Sequence, residues 1–132
     1  MDKYSVVIVT CCNRIKQLNL LIKSILGQDL KADELIVVSD GELGKGVIEN
    51  PIIKYIERPL IKFPAPHRNY GLSIAKNDKV FISDDDDLWH PKKARLQLSA
   101  QKNTQAGLVF TKKNNFVDSC NFKFIDDNIN FH

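Results

Sequence analysis

The sequence predicts an α/β domain built on an open, mostly parallel sheet with helices on both faces. Three observations carry that prediction. Tyr4–Thr10, Glu34–Ser39 and Lys79–Ser83 are short, nearly continuous apolar runs, the pattern of strands buried on both faces. Between the first two lies a stretch with apolar residues at helical spacing. Strand and helix patterns alternate from residue 4 to about residue 111, which implies right-handed βαβ units and parallel pairing.

Each element follows in order. After Tyr4–Thr10, Asn13 suits a helix N-cap. Ile15, Leu18, Leu21, Ile22, Ile25 and Leu26 then recur at spacings of three and four, giving one apolar stripe that Gly27 is placed to end. The second strand stops at Asp40-Gly41, and the three glycines within residues 41–50 read as a loop. Ile52–Glu57 is a third, shorter strand. Pro59, Pro64 and Pro66 make the next stretch irregular and exposed. His67–Lys76 is expected as a helix, with Leu72, Ile74 and Ala75 as its apolar members. The fourth strand, Lys79–Ser83, runs into Asp84-Asp85-Asp86-Asp87. Pro91 suits the first turn of a helix reaching about Gln101. Leu108–Thr111 reads as a fifth strand, and the Asn-rich tail holds a sixth near Asn121–Ile125. No repeat or linker divides the chain, so residues 1–132 read as a single domain.

Composition bounds the function. With 132 residues, 43% hydrophobic and 27% charged, the chain can bury one ordinary core. No stretch approaches the roughly 20 apolar residues that span a bilayer, and Ser5–Thr10 is too short for a signal-peptide core. The expectation is a cytoplasmic chain, with a membrane-peripheral position left open. Cys11, Cys12 and Cys120 are odd in number and fit no metal-site spacing. Small buried packing residues are the expected role for Cys11 and Cys12. The net charge of +3 is dispersed, with no basic run, which argues against nucleic acid as a partner.

In an open α/β sheet, ligands bind beyond the carboxyl ends of the strands. There the sequence places Thr10, Asp40 and Asp84–Asp87, a hydroxyl and up to five carboxylates along one edge. Clustered carboxylates raise one another's pKa unless a cation neutralises them. Hard divalent cations such as Mn²⁺ and Mg²⁺ take one or two carboxylates plus substrate phosphates. The acidic turn therefore reads as a metal–diphosphate site, against the simpler reading of a solvated charge run. Asp40 suits either an Asp-Gly turn or a hydrogen bond to a nucleobase or ribose. His67-Arg68-Asn69 opens a helix, where free N–H groups and a cation favour an anion. Trp89 is read as core, and His90 and His132 as ordinary exposed residues.

These residues resemble a family. Val-Val-Ile-Val-Thr-Cys-Cys-Asn-Arg (6–14) is similar to the opening strand of the family-2 glycosyltransferases of the Rossmann-like GT-A fold. Glu34–Gly41 resembles their second strand with its terminal Asp. His67-Arg-Asn-Tyr-Gly71 resembles their Arg-Asn-x-Gly helix start, and Phe81–Trp89, with Pro91 and Lys93, their Asp-x-Asp segment. The resemblance covers residues 4 to about 111.

It implies transfer of a sugar from a nucleotide-diphospho-sugar, with a UDP-sugar expected, to an unknown glycan, lipid or protein acceptor. Thr10 and Asp40 would hold the nucleoside, with Arg68 near the base or diphosphate. Trp89 sets the register that aligns Asp84 and Asp86 with the outer motif positions. Asp84 would face the nucleoside side, and Asp86 would ligate Mn²⁺ or Mg²⁺. Asp85 stands where the family has a small residue, so Asp85 or Asp87 is the substitute ligand if the register shifts by one. The acceptor half is largely missing, and the catalytic base is unknown; Asp118, Asp126 and Asp127 are the late acids. A homo-oligomer would let a second copy supply the missing wall. Two alternatives stand beside this enzyme: a nucleotide-sugar-binding module without transfer, and a phosphotransfer domain using Lys112 or Lys113.

Overall fold

The computed structural model describes residues 3–111. Four strands, β1 (Ser5–Thr10), β2 (Glu34–Asp40), β3 (Ile53–Arg58) and β4 (Val80–Asp84), form one sheet in the order β3-β2-β1-β4. Every pairing is parallel. Three helices connect or flank them: α1 (Ile15–Leu26), α2 (Pro64–Ile74) and α3 (Lys93–Thr104).

The side-chain period of two along each strand divides the core into two layers. Val6, Ile8, Leu35 and Val37 pack against Leu18, Leu21, Ile22 and Ile25 of α1, together with Trp89, Ala94 and Leu98. Val7, Ile36 and Val38 face the other way and pack with Tyr70 and Ile74 of α2. The winding explains the split. From β1 the chain steps outward to β2, then returns past β1 to lay down β4 on its other side. Right-handed crossovers made in opposite directions put their helices on opposite faces.

The amino ends of the strands are locked by a polar knot. Glu34, 1% exposed, accepts hydrogen bonds from Ser5 Oγ at 2.8 Å, the Lys76 amide at 2.9 Å and Lys54 Nζ at 3.3 Å. Burial pushes its pKa up, but those three donors outweigh it and hold the carboxyl below its ordinary value. The carboxyl ends carry no such closure and stay open.

Several local expectations are corrected. Asn13 does not cap α1: a 3₁₀ turn at Cys12–Arg14 precedes the helix, with no side-chain cap. Pro64 and Pro66 do not break the chain but lie in the first turn of α2, where missing N–H groups cost nothing. The helix therefore starts three residues earlier than expected. Of the expected fifth strand, Leu108–Thr111, only Thr111 makes a β-bridge; Leu108–Phe110 lies outside any strand, with Leu108 and Phe110 exposed. The Val109 carbonyl accepts from Gln97 Nε2 at 3.0 Å, so it is held by a helix side chain. His90 is buried rather than exposed; its carbonyl accepts from the buried Gln28 Nε2 and its Nδ1 from the Lys92 amide. Trp89 is core, 3% exposed, with Nε1 donating to Ser83 Oγ. The expected sixth strand and Cys120, Asp118, Asp126, Asp127, Lys112, Lys113 and His132 lie outside the described residues.

Gly71 shows how closely α2 seats on the sheet. A Cβ there would lie 2.5 Å from Val7 Cγ1, and Val7 is fully buried and stiff at χ1. Gly71→Ala should destabilise the fold by about 1–3 kcal/mol. Gly107→Ala, with nothing within 4 Å of the new Cβ, should stay within about 0.5 kcal/mol of wild type. Thermal denaturation of the two variants checks this.

Candidate functional site

A cleft of about 450 Å³ opens beyond the carboxyl ends of β1, β2 and β4, a size in the range of ligand pockets. Thr10, Asp40, Arg68, Asp84, Asp85 and Asp86 all line it, joined by Cys11, Arg14, Lys62 and Pro64. Strand geometry brings them together. Thr10 and Asp40 end β1 and β2, Asp84 ends β4, and α2 delivers Arg68 from above.

The four aspartates are not equivalent. Asp85 is the buried one, its side chain 8% exposed. It accepts from Thr10 Oγ1 at 2.9 Å and from Arg14 Nη1 at 2.9 Å. Burial raises its pKa, and the Thr10 and Arg14 bonds only partly offset that. Asp84 and Asp86 stand in solvent, their side chains 68% and 57% exposed. Each has a loose arginine neighbour: Arg68 is 3.6 Å from Asp84 and Arg14 is 3.7 Å from Asp86. Asp87 does not line the cleft; it lies close enough to Lys93 to favour the ammonium. Even so, burial against Trp89 pulls the Lys93 pKa down to about 8.

The opposite wall is tightly built. The Asp40 carboxylate accepts from the Ile61 amide at 2.8 Å and the Lys62 amide at 3.0 Å, and lies 2.7 Å from His67 Nε2. Lys62 takes φ 61°, a left-handed conformation that costs a side-chain-bearing residue energy. Two successive amides around such a residue make an anion-holding nest, and here the anion is Asp40. The Ile61 N–H, chiefly, with His67 and Lys62 hold the Asp40 carboxyl below its ordinary value against the pull of partial burial.

Two residues of this site, Arg14 and Lys62, carried no assigned role in the sequence, and two others, His67 and Cys11, carried a different one. Arg14 belongs to the first motif, but only the folded 3₁₀ turn aims it at Asp85. Lys62 carries no local signal, since its conformation is imposed by Asp40. His67 is not at the helix start but is a buried fourth residue of α2. Cys11 is not buried packing; it is part-exposed in the cleft, its thiol 3.2 Å from Asn13 Oδ1.

The lowered Asp40 pKa makes a prediction with a definite sign. A depressed carboxyl stabilises the fold above its unfolded pKa of about 3.9, and that gain is lost as pH falls through the folded value. Asp40→Asn, which sets an amide NH₂ against the nest or the imidazole, should melt lower than wild type at pH 7. The gap should close as pH drops below about 4, as thermal melts across pH would show.

Comparison with known proteins identifies the family. Glycosyl transferase family 2 matches residues 6–128. The chain is 31% identical over 123 residues to the poly(ribitol-phosphate) beta-N-acetylglucosaminyltransferase TarP of Staphylococcus aureus, covering 85% of this chain and 37% of that protein. It is 31% identical over 119 residues to an uncharacterized glycosyltransferase of Rickettsia conorii, covering 86% of this chain and 18% of that one. Among solved structures, S. aureus TarS residues 1–349 superimposes with a TM-score of 0.66 at 21% identity, over 93% of this chain and 40% of TarS. TarS in complex with UDP gives a TM-score of 0.63 at 21% identity, over 79% and 33%. The chain thus spans two fifths or less of these relatives. It shares the open, all-parallel α/β architecture of the GT-A structures, and it belongs to glycosyl transferase family 2.

Proposed function

We propose that this chain is the donor-binding part of a glycosyltransferase that takes a UDP-sugar together with Mn²⁺ or Mg²⁺. The observation that carries the reading is the shared cleft: Thr10, Asp40, Arg68, Asp84, Asp85 and Asp86, drawn from three strand ends and one helix, line a single volume. The UDP held by TarS and the N-acetylglucosaminyl transfer in the TarP name support nucleotide-sugar chemistry.

In this reading each wall has its own task. Asp40, an acceptor already held by three donors, takes one N–H or O–H from the nucleoside. Arg68 has a buried Nε without a partner among the described residues, and its guanidinium meets phosphate oxygens. Asp85 ties the acidic turn to β1 through Thr10 and Arg14, which fixes where its neighbours stand. Asp86 holds the cation, with Asp84 toward the nucleoside side.

The donor set fits a hard divalent ion. All its groups are carboxylate oxygens, and two of them are exposed. Among the described residues no three His, Cys, Asp or Glu side chains converge on a ready-made metal cage. One or two carboxylates completed by phosphate oxygens is the arrangement Mg²⁺ commonly takes. Bound there, the ion supplies neutralisation of the charge developing on the departing nucleotide.

The second reading, donor binding without transfer, rests on one feature. Among the described residues every cleft carboxylate is given a part in donor or metal binding, and the late acids Asp118, Asp126 and Asp127 lie outside them, so no base is assigned to an acceptor hydroxyl. Acceptor-dependent release of nucleotide from a sugar-nucleotide panel would decide for the enzyme; donor binding without release would decide for the module. No helix among the described residues is long and apolar enough to cross a membrane.

Calorimetric titration with UDP tests the donor reading. Chelating the divalent ion should weaken UDP binding at least tenfold, about 1.4 kcal/mol. Asp86→Asn should abolish most of the metal-dependent gain, and Asp87→Asn, beside Lys93 and outside the cleft, should matter less. Equal affinity with and without metal would overturn the metal–diphosphate assignment.

A further inference from the structure

We propose that His67 is a positioning residue for the donor: it fixes the Asp40 carboxylate in the cleft and does not itself touch the ligand. This rests on the nucleotide reading above and goes beyond it.

His67 is 1% exposed, and its Nε2 lies 2.7 Å from Asp40 Oδ1. An ionised carboxylate only accepts hydrogen bonds. Since the Ile61 and Lys62 amides favour that ionised form, the imidazole must carry its proton on Nε2. The other ring nitrogen, Nδ1, is buried without a partner among the described residues. An unmet buried polar atom destabilises a fold, whereas an apolar side chain of similar size would not. His67 is therefore a poor choice for the core alone, and among the described residues its ring hydrogen-bonds to Asp40.

That contact sets where Asp40 can act. A carboxylate has about four lone-pair positions. On Oδ1 the Ile61 amide and His67 Nε2 take two; on Oδ2 the Lys62 amide takes one. A single acceptor position is left, on Oδ2, and its direction is fixed by the three donors. Without His67 the carboxylate is held only by two amides of one exposed strap, one of them on left-handed Lys62. The adjacent Arg68 rides on the same helix, but it reaches the cleft on its own and needs no imidazole to do so. His67 thus serves the nucleoside end of the cleft and leaves the phosphate end alone.

The experiment is calorimetric titration of the chain in Mn²⁺ with UDP and, separately, with pyrophosphate. His67→Leu should lose about tenfold in UDP affinity while pyrophosphate affinity changes less than about twofold. His67→Gln, whose amide nitrogen reaches the place of Nε2, should recover UDP binding to within about threefold of wild type. Equal UDP affinity in wild type and His67→Leu overturns the inference, as does parallel loss of UDP and pyrophosphate or failure of the glutamine to rescue. If the leucine variant does not fold, ¹⁵N-histidine NMR of the wild type decides: a proton on Nε2 supports the pairing, and a ring protonated at Nδ1 alone overturns it. A wild type that binds neither UDP nor pyrophosphate overturns the nucleotide reading itself. UDP binding by the wild type together with any of the other adverse results overturns only the role of His67.

Discussion

Everything at this site depends on β1 being the strand where the winding reverses. It is paired in parallel on both sides, with β2 and with β4, and Val6, Val7 and Ile8 are fully buried. Because the chain winds outward through β2 and β3 and then comes back to lay β4 on the other side of β1, the carboxyl end of β1 is flanked by those of β2 and β4. Thr10 lies at the floor of the cleft, Asp40 on one flank and Asp84–Asp86 on the other. The cleft is thus a consequence of topology before it is a consequence of any polar side chain. The polar knot of Ser5, Glu34 and Lys76 at the far ends complements this, since it closes the edge where no ligand is needed.

The same constraint explains what was legible in the sequence. Strands β1 and β2 could be read because burial on both faces demands unbroken β-branched runs, here only six and seven residues long, too short for an ordinary helix. Strand ends then placed Thr10, Asp40 and the acidic turn on one edge without any knowledge of contacts. Trp89 could be read as core because a large aromatic gains most from burial. Errors arose where local chemistry has two meanings. Proline breaks a helix in its middle but starts one at its first turn, and Pro64 does the second. Leu108–Phe110 has strand composition, but the Val109 carbonyl is taken by the Gln97 side chain.

Long-range pairs were not legible at all. Arg14 and Asp85 are 71 positions apart, and Asp40 and His67 are 27 apart. Nothing local distinguishes Arg14 from a surface cation or His67 from a helix-start residue. Their roles exist only after β1, β2, β4 and α2 have met. This is the ordinary limit of pattern reasoning: periodicity reports which face a residue takes, not which partner it finds there.

The two walls of the cleft differ in how far they are organised before any ligand arrives, and the difference has a physical direction. Around Asp40, three short hydrogen bonds and a left-handed residue fix one carboxylate with a single acceptor position left. Around Asp84 and Asp86, exposed carboxylates face arginines at 3.6 and 3.7 Å, contacts too long and too wet to hold either side chain. Only Asp85, buried between Thr10 and Arg14, anchors that turn. Such a surface is electrostatically unsettled: Asp84, Asp85 and Asp86 crowd one turn, with two arginines shared among them. A bound cation would relieve that crowding, and freeing an arginine to meet phosphate would relieve it further. On the proposed donor reading, the Asp40 wall is preorganised for the nucleoside and the acidic turn is completed by the ligand, so discrimination among nucleosides would belong to Asp40 and its supports, and the metal-dependent part of affinity to the acidic turn.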